Sequence, residues 1–387
     1  MDTVSIERCK NYEYDIVYNC VEKLVDNLGG WKTFIKPGDR VAVKPNLLMY
    51  KKPEEAATTH PAVVKAVISQ VQKAGGNVII AESPGGPYSR TMLRYVYRAT
   101  GIEKAADETG AVLNYDLRVT KINSPDSKYV KSLEILKPLA DADVIINIPK
   151  LKTHASMVYT GAVKNMFGAV AGTAKTDLHL RMPDYNDFAD SLIDVYLSAK
   201  PEISIMDAVE GMEGYGPSAG TPKHIGLLLA SSNGFALDIA AAKIIKIPPE
   251  KIPVLKNAEK RGLADYNSIN VIGESIENVT INDFYVPALY GVKRQGFLKR
   301  SFLKLINKQS RPKPVISEEK CTRCGNCVKI CPADAIDIQN GDIPLIDYKK
   351  CICCFCCHEL CDYKAIDIRR GFVSRLMTDR RLSGLRS

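Results

Sequence analysis

The sequence predicts an α/β protein: a domain with a mainly parallel sheet, in one body or two lobes, followed by a small α+β domain. Two observations indicate this. Over the first 290 residues, short runs of Val, Ile and Leu alternate with helical patterns, and ten of the twelve cysteines fall between Cys321 and Cys361. Alternating strands and helices are typical of a parallel sheet covered by helices. A length of 387 residues is enough for two or three domains of ordinary size.

Six short apolar runs predict the strands of the sheet. They are rich in Val, Ile and Leu, as expected for parallel strands that are buried on both faces. The predicted strands cover residues 41–44, 78–81, 112–115, 143–148, 203–206 and 225–230.

Helical patterns lie between these runs. One begins at Thr59-His60-Pro61, where Thr can cap the helix and Pro suits its first turn, and it ends before Gly75. His60 has two interpretations, as a residue at the mouth of a pocket or as a helix-start residue bonded to the backbone. Further helices are predicted over 90–108, 188–199 and 235–245.

The net charge of +9 is unevenly distributed. Eight basic residues and no acid lie between Lys293 and Lys313, and six arginines against one aspartate follow from Arg369 onward. A mildly acidic body with two basic segments differs from a uniformly basic nucleic-acid binder, so we expect no nucleic-acid partner. The predicted boundaries are an α/β domain at 1–290, a basic linker at 291–314, a cysteine-rich domain at 315–370 and a basic tail at 371–387.

The basic linker carries apolar residues on one face of a helical pattern, between Phe297 and Ile306. A docked linker helix explains this pattern. A membrane-surface helix or a binding site for an acidic partner explains it as well. The positive charge favours an acidic redox partner protein, because opposite charges steer association.

The cysteines and the apolar runs together indicate the compartment. No apolar run approaches the ~18–20 residues of a membrane span, and Met1 to Lys10 lacks the apolar segment of a secretory signal. A disulfide scaffold would spread its cysteines through a short secreted chain, whereas these are clustered at one end of a long one. We therefore expect a cytoplasmic protein whose cysteines bind metal in a reducing compartment.

The cysteine-rich segment contains an internal repeat with the spacing C-x₂-C-x₂-C-x₃-C. Eight positions between Cys321 and Ile338 recur thirty residues later, between Cys351 and Ile368. In this spacing three cysteines hold one [4Fe–4S] cluster and the fourth binds the other cluster. The predicted ligands are Cys321, Cys324, Cys327 and Cys361 for cluster 1, and Cys331, Cys351, Cys354 and Cys357 for cluster 2.

This segment resembles the bacterial two-cluster ferredoxin module over some fifty-five residues. Zinc is the alternative, but zinc sites usually pair two cysteine knuckles across a longer gap. The second half departs from the family, with Asp362 in place of a proline and with the extra Cys353 and Cys356, which we interpret as free thiols. Cys9 and Cys20, far from the repeat, are predicted to be buried as small apolar residues.

Polar residues follow several predicted strands of the α/β domain. Because ligands bind at the carboxyl ends of strands in open α/β sheets, together they predict a pocket for a small anionic ligand, although each could belong to an ordinary solvated loop. The predicted binding residues are Lys44, Asn46, Glu82, Lys150, His179, Asp207 and Glu210, and the predicted catalytic residues are Lys152, His154 and Lys164. The glycine-rich runs at 161–172 and 211–220 match neither a P-loop nor a dinucleotide fingerprint.

Five motifs identify the first 290 residues as similar to the "domain of unknown function 362" family of bacteria and archaea. They are KPNLL at 44–48, TTHP at 58–61, PKLKTH at 149–154, GAVKNMFG at 161–168 and DAVEGMEGYGP at 207–217. The resemblance implies an α/β fold and cluster binding, and no activity comes with it.

A second resemblance concerns three residues. His154, Lys164 and His179 are spaced much like the residues that hold a nickel-pincer cofactor in lactate racemase-type enzymes. This implies Lys164 as covalent anchor and the two histidines as metal ligand or general base. In the alternative interpretation, these side chains bind an anion or pair with Glu82, Asp207 and Glu210.

The sequence therefore favours an iron–sulfur protein with two [4Fe–4S] clusters that works in electron transport, as ferredoxins do. The alternative is an oxidoreductase in which the clusters reduce an anionic or carbonyl substrate in the α/β cleft. There Lys150, Lys152 and Lys164 would neutralise charge and His154 would supply a proton. A nickel-pincer isomerase is a third hypothesis.

Overall fold

The computed structural model describes residues 1–287 and 312–369. The chain divides into two compact units, Met1–Val286 and a second unit that begins at Pro287. The predicted basic linker, apart from residues 312–314, and the predicted basic tail lie outside the described residues.

The first unit is built on a ten-stranded sheet. Its strands are β1 (Asp2–Arg8), β2 (Arg40–Pro45), β3 (Asn77–Ile80), β4 (Val112–Leu113), β7 (Val144–Ile148), β8 (Lys150–His154), β9 (Val158–Thr160), β10 (Ile203–Glu213), β11 (Thr221–Ser231) and β12 (Ile269–Gly273). The order is β12-β1-β11-β10-β7-β2-β3-β4, and β8 pairs with β10 and β9. A separate antiparallel pair consists of β5 (Val119–Asn123) and β6 (Ser132–Leu136).

The centre of the sheet is parallel, which confirms the predicted fold class. Strands β4, β3, β2, β7 and β10 pair in parallel along this order, and β1 is parallel to β12. Only β11, which pairs with β1 and β10, and β9 are antiparallel to their partners in this sheet. All five residues of β7 are buried, as expected for a strand with helices on both faces.

Ten helices of the first unit connect these strands. They are α1 (Tyr14–Asp26), α2 (Pro61–Lys73), α3 (Arg90–Ala99), α4 (Ile102–Thr109), α5 (Lys137–Ala140), α6 (Ala162–Asn165), α7 (Thr173–Arg181), α8 (Tyr185–Ala199), α9 (Gly234–Ile244) and α10 (Pro253–Lys260). The single helix predicted over 90–108 is wrong, because Gly101 has a left-handed φ of 75° and separates α3 from α4.

The core of the first unit lies between the sheet and the amphipathic faces of α1 and α2. Val17, Val21 and Leu24 recur at helical spacing on α1 and are fully buried. They share one hydrophobic cluster with Val41 and Val43 of β2. Each such side chain contributes about 1.5–3 kcal/mol by leaving water, so this unit has ample apolar burial to fold by itself.

The second unit is small. Its elements are β13 (Lys313–Ile316), α11 (Asn326–Ile330), β14 (Ile336–Asp337), β15 (Leu345–Ile346), α12 (Cys356–Glu359) and β16 (Ile366–Arg369). β13 pairs with β16 and β14 with β15, both antiparallel. Among residues 1–287 and 312–369, no helix has the length and apolar character needed to cross a membrane.

Candidate functional site

Two cavities in the second unit are each surrounded by four cysteines. The first cysteine cavity has about 360 Å³ of empty space and is lined by Cys321, Cys324, Cys327 and Cys361. The second cysteine cavity has about 320 Å³ and is lined by Cys331, Cys351, Cys354 and Cys357. The structure therefore brings together the two sets of four that the spacing predicts, with the fourth cysteine of each half at the other half's cavity.

The two halves have the same backbone plan. Three pairs of residues thirty positions apart share left-handed φ values: Arg323 and Cys353, Gly325 and Phe355, Asp334 and Lys364. The halves also exchange equivalent hydrogen bonds, from the amide of Ser317 to the carbonyl of Ala365 at 2.7 Å and from Asp347 to Ala335 at 2.8 Å. The sequence repeat is thus a structural repeat.

The fourth cysteine of each half accepts a hydrogen bond from the backbone. The amide of Ala335 donates to Cys331 Sγ at 3.2 Å, and the amide of Ala365 donates to Cys361 Sγ at 3.3 Å. Such bonds stabilise negative charge on sulfur and raise the reduction potential of a bound cluster.

The extra cysteines, Cys353 and Cys356, line neither cavity among the described residues. Instead they hydrogen-bond to two of the predicted ligands, Cys351 and Cys354. The bond from Cys353 lowers the pKa of Cys351 to about 6, and the bond from Cys356 lowers the pKa of Cys354. The sequence interpretation as free thiols misses this contact, which favours the thiolate that iron binds.

In the first unit, Lys44 and Glu82 form a buried ion pair. Lys44 Nζ lies 2.7 Å from Glu82 Oε2 and donates to the carbonyl of Pro45 at 3.2 Å. The pairing of β2 with β3 places Lys44 beside the end of β3, which explains the contact. A side chain at Gly168 would collide with Glu82, so this glycine allows the backbone to approach the carboxylate. Burial lowers the pKa of Lys44.

A second buried pair joins Lys150 and Asp207. Lys150 Nζ donates to Asp207 Oδ2 at 2.8 Å and to the Tyr12 hydroxyl at 2.9 Å, and Tyr12 donates to Asp207 Oδ1 at 2.9 Å. The register of β8 against β10 sets Lys150 directly opposite Asp207. The sequence analysis did not find Tyr12, because it lies in the loop after β1, far from these residues in the chain.

His60 and Glu210 border this pair. The His60 amide donates to Asp207 Oδ2 at 2.9 Å, and its ring stacks on Tyr12 with centroids 3.5 Å apart. His60 Nδ1 accepts from the Ala62 amide at 3.2 Å at the start of α2, which is the helix-start interpretation. Burial lowers the pKa of His60 to about 4, so the ring is neutral at pH 7. Glu210 Oε1 lies 2.6 Å from His224 Nδ1.

Lys152 begins a chain of buried amides. Its Nζ donates to Asn46 Oδ1 at 2.9 Å, Asn46 donates to Asn165 Oδ1 at 2.8 Å, and Asn165 donates to Asn147 Oδ1 at 2.7 Å. The chain ends at Ser204, whose hydroxyl accepts from Asn147 at 3.0 Å. Linked hydrogen bonds of this kind fix the positions of their members.

The strand ends differ from the expectation. Asp207 and Glu210 were expected after a strand that stops at Met206, but β10 continues to Glu213 and contains both. Lys150, Lys152 and His154 belong to β8, a strand of five buried residues. β7 ends at Ile148, and β8 begins after Pro149. β8 then pairs with β10 beyond the end of β7, which accompanies the extra length of β10. Lys44, Lys150 and Lys152 are at most 1% exposed, and each hydrogen-bonds to other residues of this chain.

The three residues with pincer-like spacing have different surroundings. His154 Nδ1 accepts from the amides of Ser156 and Met157 at 3.2 and 3.3 Å. His179 on α7 stacks on Phe188 with centroids 4.1 Å apart. Lys164 Nζ and the His179 ring lie 5.9 and 5.8 Å from the centroid of the Phe167 ring. Phe167 therefore places Lys164 and His179 in one neighbourhood.

Comparison with known families identifies both units. Residues 41–243 match the family described as domain of unknown function (DUF362), and residues 314–337 match the 4Fe-4S binding domain. The chain is 35% identical over 266 residues to the thylakoid-associated protein sll1697 of Synechocystis sp., a match that covers 67% of this chain and 80% of the relative. The chain belongs to the DUF362 family. It is also an iron–sulfur protein with a 4Fe-4S binding domain.

Two solved structures have lower similarity to this DUF362 protein. The lactate racemase apoprotein of Thermoanaerobacterium thermosaccharolyticum aligns with a TM-score of 0.39 at 14% identity, over 62% of this chain and 56% of that one. A Thermotoga maritima protein aligns with a TM-score of 0.36 at 11% identity, over 66% of this chain and 60% of that one. The chain thus spans little more than half the length of these structures.

The second unit of the DUF362 protein fits the cluster that its domain implies. A [4Fe–4S] cubane is held by four thiolates, one on each iron atom at its corners, and each cysteine cavity is lined by four cysteines that can supply them. No group of three or more His, Cys, Asp or Glu within 1–287 and 312–369 converges closely enough to hold a single metal ion.

Lys175 of the DUF362 unit is a charged residue that the sequence analysis did not single out. It lies on α7, and its Nζ donates to the carbonyls of Ser83 and Pro84, the latter at 2.8 Å. Burial is the main cause that lowers the pKa of Lys175 to about 7; the negative charge of Glu82 opposes the shift, and the positive charges of Lys44 and Lys164 contribute to it. In the sequence, Lys175 is one more lysine just after the glycine-rich run at 161–172, and no predicted strand end or motif marks it.

Proposed function

We propose that this protein binds two [4Fe–4S] clusters and transfers electrons through them. The family match covers only the first half of the repeat, at 314–337. The second cysteine cavity supports a second cluster, because four further cysteines line it, as many as line the first cavity. When bound, each cluster accepts and donates one electron at a time.

The protein's own residues would set how the clusters are held. Each cavity takes three cysteines from one loop and the fourth from the other half, so neither half can complete a site by itself. The amides of Ala335 and Ala365 donate to the crossing sulfurs, which favours the reduced, more negative cluster. Because each half supplies the fourth ligand of the other half's site, the two clusters would lie close together and form a short electron relay.

Metal analysis of paired variants tests this proposal. The full chain, purified without oxygen, should hold about eight iron and eight sulfide. Cys321→Ala/Cys324→Ala and Cys351→Ala/Cys354→Ala should each lose about half of the iron, whereas Cys353→Ala/Cys356→Ala should keep it. About four iron in the unchanged protein, zinc in place of iron, or iron loss in the control variant would refute the assignment.

Electron transfer needs its own measurement. The reduced full chain should show the low-temperature EPR signal of reduced clusters and lose it when a soluble electron acceptor is added. Clusters that are present but cannot be reduced or reoxidised would have a structural role.

An acidic redox partner is proposed because of the basic segments between Lys293 and Lys313 and from Arg369 onward. Its reduction rate should fall as salt rises, and a salt-independent rate would exclude this steering.

A second candidate function is supported by Lys175. A buried amine with a pKa near 7, close to Lys44, Lys164 and Glu82, can exchange a proton at neutral pH and attract an anionic or carbonyl substrate. In this case the clusters would supply electrons to a reduction in the DUF362 unit. Lys175→Met should then abolish turnover of a reducible anion while the iron content and the cluster spectrum stay unchanged. Loss of the spectrum would show a structural role instead.

A further inference from the structure

Two cysteines outside the repeat are in contact inside the DUF362 unit. Cys9 follows β1 directly, and Cys20 lies on the inner face of α1. Cys20 Sγ donates to the carbonyl of Arg8 at 3.0 Å, which places it against the peptide bond that leads into Cys9. The Cys9 thiol donates to the carbonyl of Asn11 at 3.4 Å, and the two thiols are near enough for each to shift the pKa of the other.

We propose that Cys9 and Cys20 are a redox-active dithiol that a small-molecule disulfide oxidises to an intramolecular disulfide. The Cys20 thiolate attacks one sulfur of the small disulfide, releases one small thiol and forms a mixed disulfide. The Cys9 thiolate then attacks Cys20 Sγ and releases the second small thiol. Two protein thiols are oxidised, one small disulfide is reduced to two thiols, and the two protons pass to the leaving thiolates.

Burial and charge assign the order of attack. Cys20 is 8% exposed, whereas Cys9 is fully buried, so the small disulfide reaches Cys20 first. The Cys9 thiol lowers the pKa of Cys20; burial and the charge of Glu7 oppose this shift, and Lys23 supports it. A lowered thiol pKa gives more of the attacking thiolate at neutral pH. Cys20 Sγ already lies against the peptide bond that leads into Cys9, so the second step needs little movement of the chain.

The pair encloses a functional loop. The residues between the two cysteines include Tyr12, whose hydroxyl contacts Lys150 and Asp207. Cys9 is held to the sheet by its amide, which donates to the carbonyl of Gly226 at 2.8 Å. A disulfide would tie the end of β1 to α1 and fix the loop that carries Tyr12. The redox state of the pair would thereby act on the buried Lys150–Asp207 pair, independently of the proposed electron transfer through clusters.

Peptide mapping of the full chain with its clusters tests this proposal, with cystamine as the small disulfide. After exposure without oxygen, remaining thiols are alkylated in denaturant and the chain is digested with trypsin without reduction. Trypsin cleaves after Arg8, Lys10 and Lys23, so the disulfide joins Cys9-Lys10 to peptide 11–23. We expect this joined peptide as the main form of both cysteines, and its loss after treatment with a dithiol.

Two results would overturn the proposal: alkylation of both cysteines after cystamine treatment, or cysteamine retained on Cys20 with Cys9 alkylated. Cys9→Ala supplies the matched intermediate, because Cys20 should then keep the mixed disulfide. The wild-type mapping decides the question even where that variant folds poorly. Chain treated in denaturant is the control, because there the pairings should scatter among the twelve cysteines and the 9–20 link should lose its dominance.

Discussion

The two units of this protein differ in what completes their buried polar groups. In the DUF362 unit the protein itself neutralises buried charge: Lys44 lies 2.7 Å from Glu82, and Lys150 lies 2.8 Å from Asp207. In the second unit the cysteines surround cavities of about 360 and 320 Å³. In the first unit each of these buried charges has a counter-charge from the protein, whereas in the second unit the cysteines line open space, as the match to a 4Fe-4S binding domain leads one to expect.

The hydrophobic cores of the two units also differ, in size. The DUF362 unit packs the apolar faces of α1 and α2 on a ten-stranded sheet. Within residues 312–369 the second unit buries few apolar side chains, and apart from its cysteines and prolines they are Ala335, Ile336, Phe355, Ala365, Ile366 and Ile368. A core this small supplies little stability, and such domains usually depend on metal, disulfides or association. Cluster binding should therefore contribute to the free energy of folding of the second unit, and not to that of the DUF362 unit.

The largest effect should come from removing iron. When a chelator strips the clusters, we expect the amides of β13 and β16 to lose their hydrogen-exchange protection, because their folding depends on the cluster. Amides of β2 and β7 should keep theirs, since that core contains no metal ligand. Exchange measured by mass spectrometry on the full chain reports both regions in one experiment. Protection that persists in β13 and β16 would contradict the comparison.

The next effect should come from breaking a buried ion pair of the DUF362 unit. Glu82→Gln leaves Lys44 buried without its counter-charge, which should lower the free energy of unfolding by about 3–5 kcal/mol. Urea unfolding can be followed by the fluorescence of Trp31, the single tryptophan, which lies in this unit.

The matched control is Asp143→Asn, which breaks a surface pair with Arg40 at 2.9 Å. Its effect should be several-fold smaller, because solvent screens exposed charges. The iron content should stay unchanged in both variants, since neither residue contacts a cysteine cavity. Equal losses of stability in the two variants would show that burial does not decide the strength of these pairs.

Per pH unit, the smallest effect should be a pH dependence of the unfolding free energy that belongs to the DUF362 unit. Asp238 on α9 accepts hydrogen bonds from the amides of Ala162 and Val163 at 2.6 and 3.1 Å. Burial nevertheless raises the pKa of Asp238 to about 7. The folded state therefore holds a proton that the unfolded state releases at about pH 3.9, so stability should fall as pH rises from 4 to 7. The slope should reach at most about 1.4 kcal/mol per pH unit.

Asp238→Asn is the comparison for this pH dependence, because an amide does not titrate. The difference in unfolding free energy between the wild type and this variant, measured by Trp31 fluorescence, should change across pH 4 to 7 and level off above it. A difference that is constant with pH would mean that Asp238 is charged throughout. The cluster spectrum should show no change that tracks this titration.

The sequence predicted local features well. The strands at 41–44, 78–81 and 143–148 correspond to β2, β3 and β7, because short apolar runs are needed wherever a strand is covered on both faces. The strand predicted at 203–206 is shorter than β10, because Asp207 and Glu210 look like loop residues in the sequence. Their places in β10 depend on residues from distant parts of the chain: Lys150 of β8 pairs with Asp207, and the Tyr12 hydroxyl accepts from the Glu210 amide.

The sequence by itself determined which cysteines can share a site, because the ligand spacing within each loop is short and the chain offers few alternatives. It also determined the alternation of strand and helix, which follows from apolar periodicity. Only the tertiary structure decided that Lys44 meets Glu82, 38 residues away, and that Lys150 meets Asp207, 57 residues away. Spacing within a loop is fixed by the geometry of the chain, whereas pairing across a sheet depends on strand order and register, which no local pattern contains.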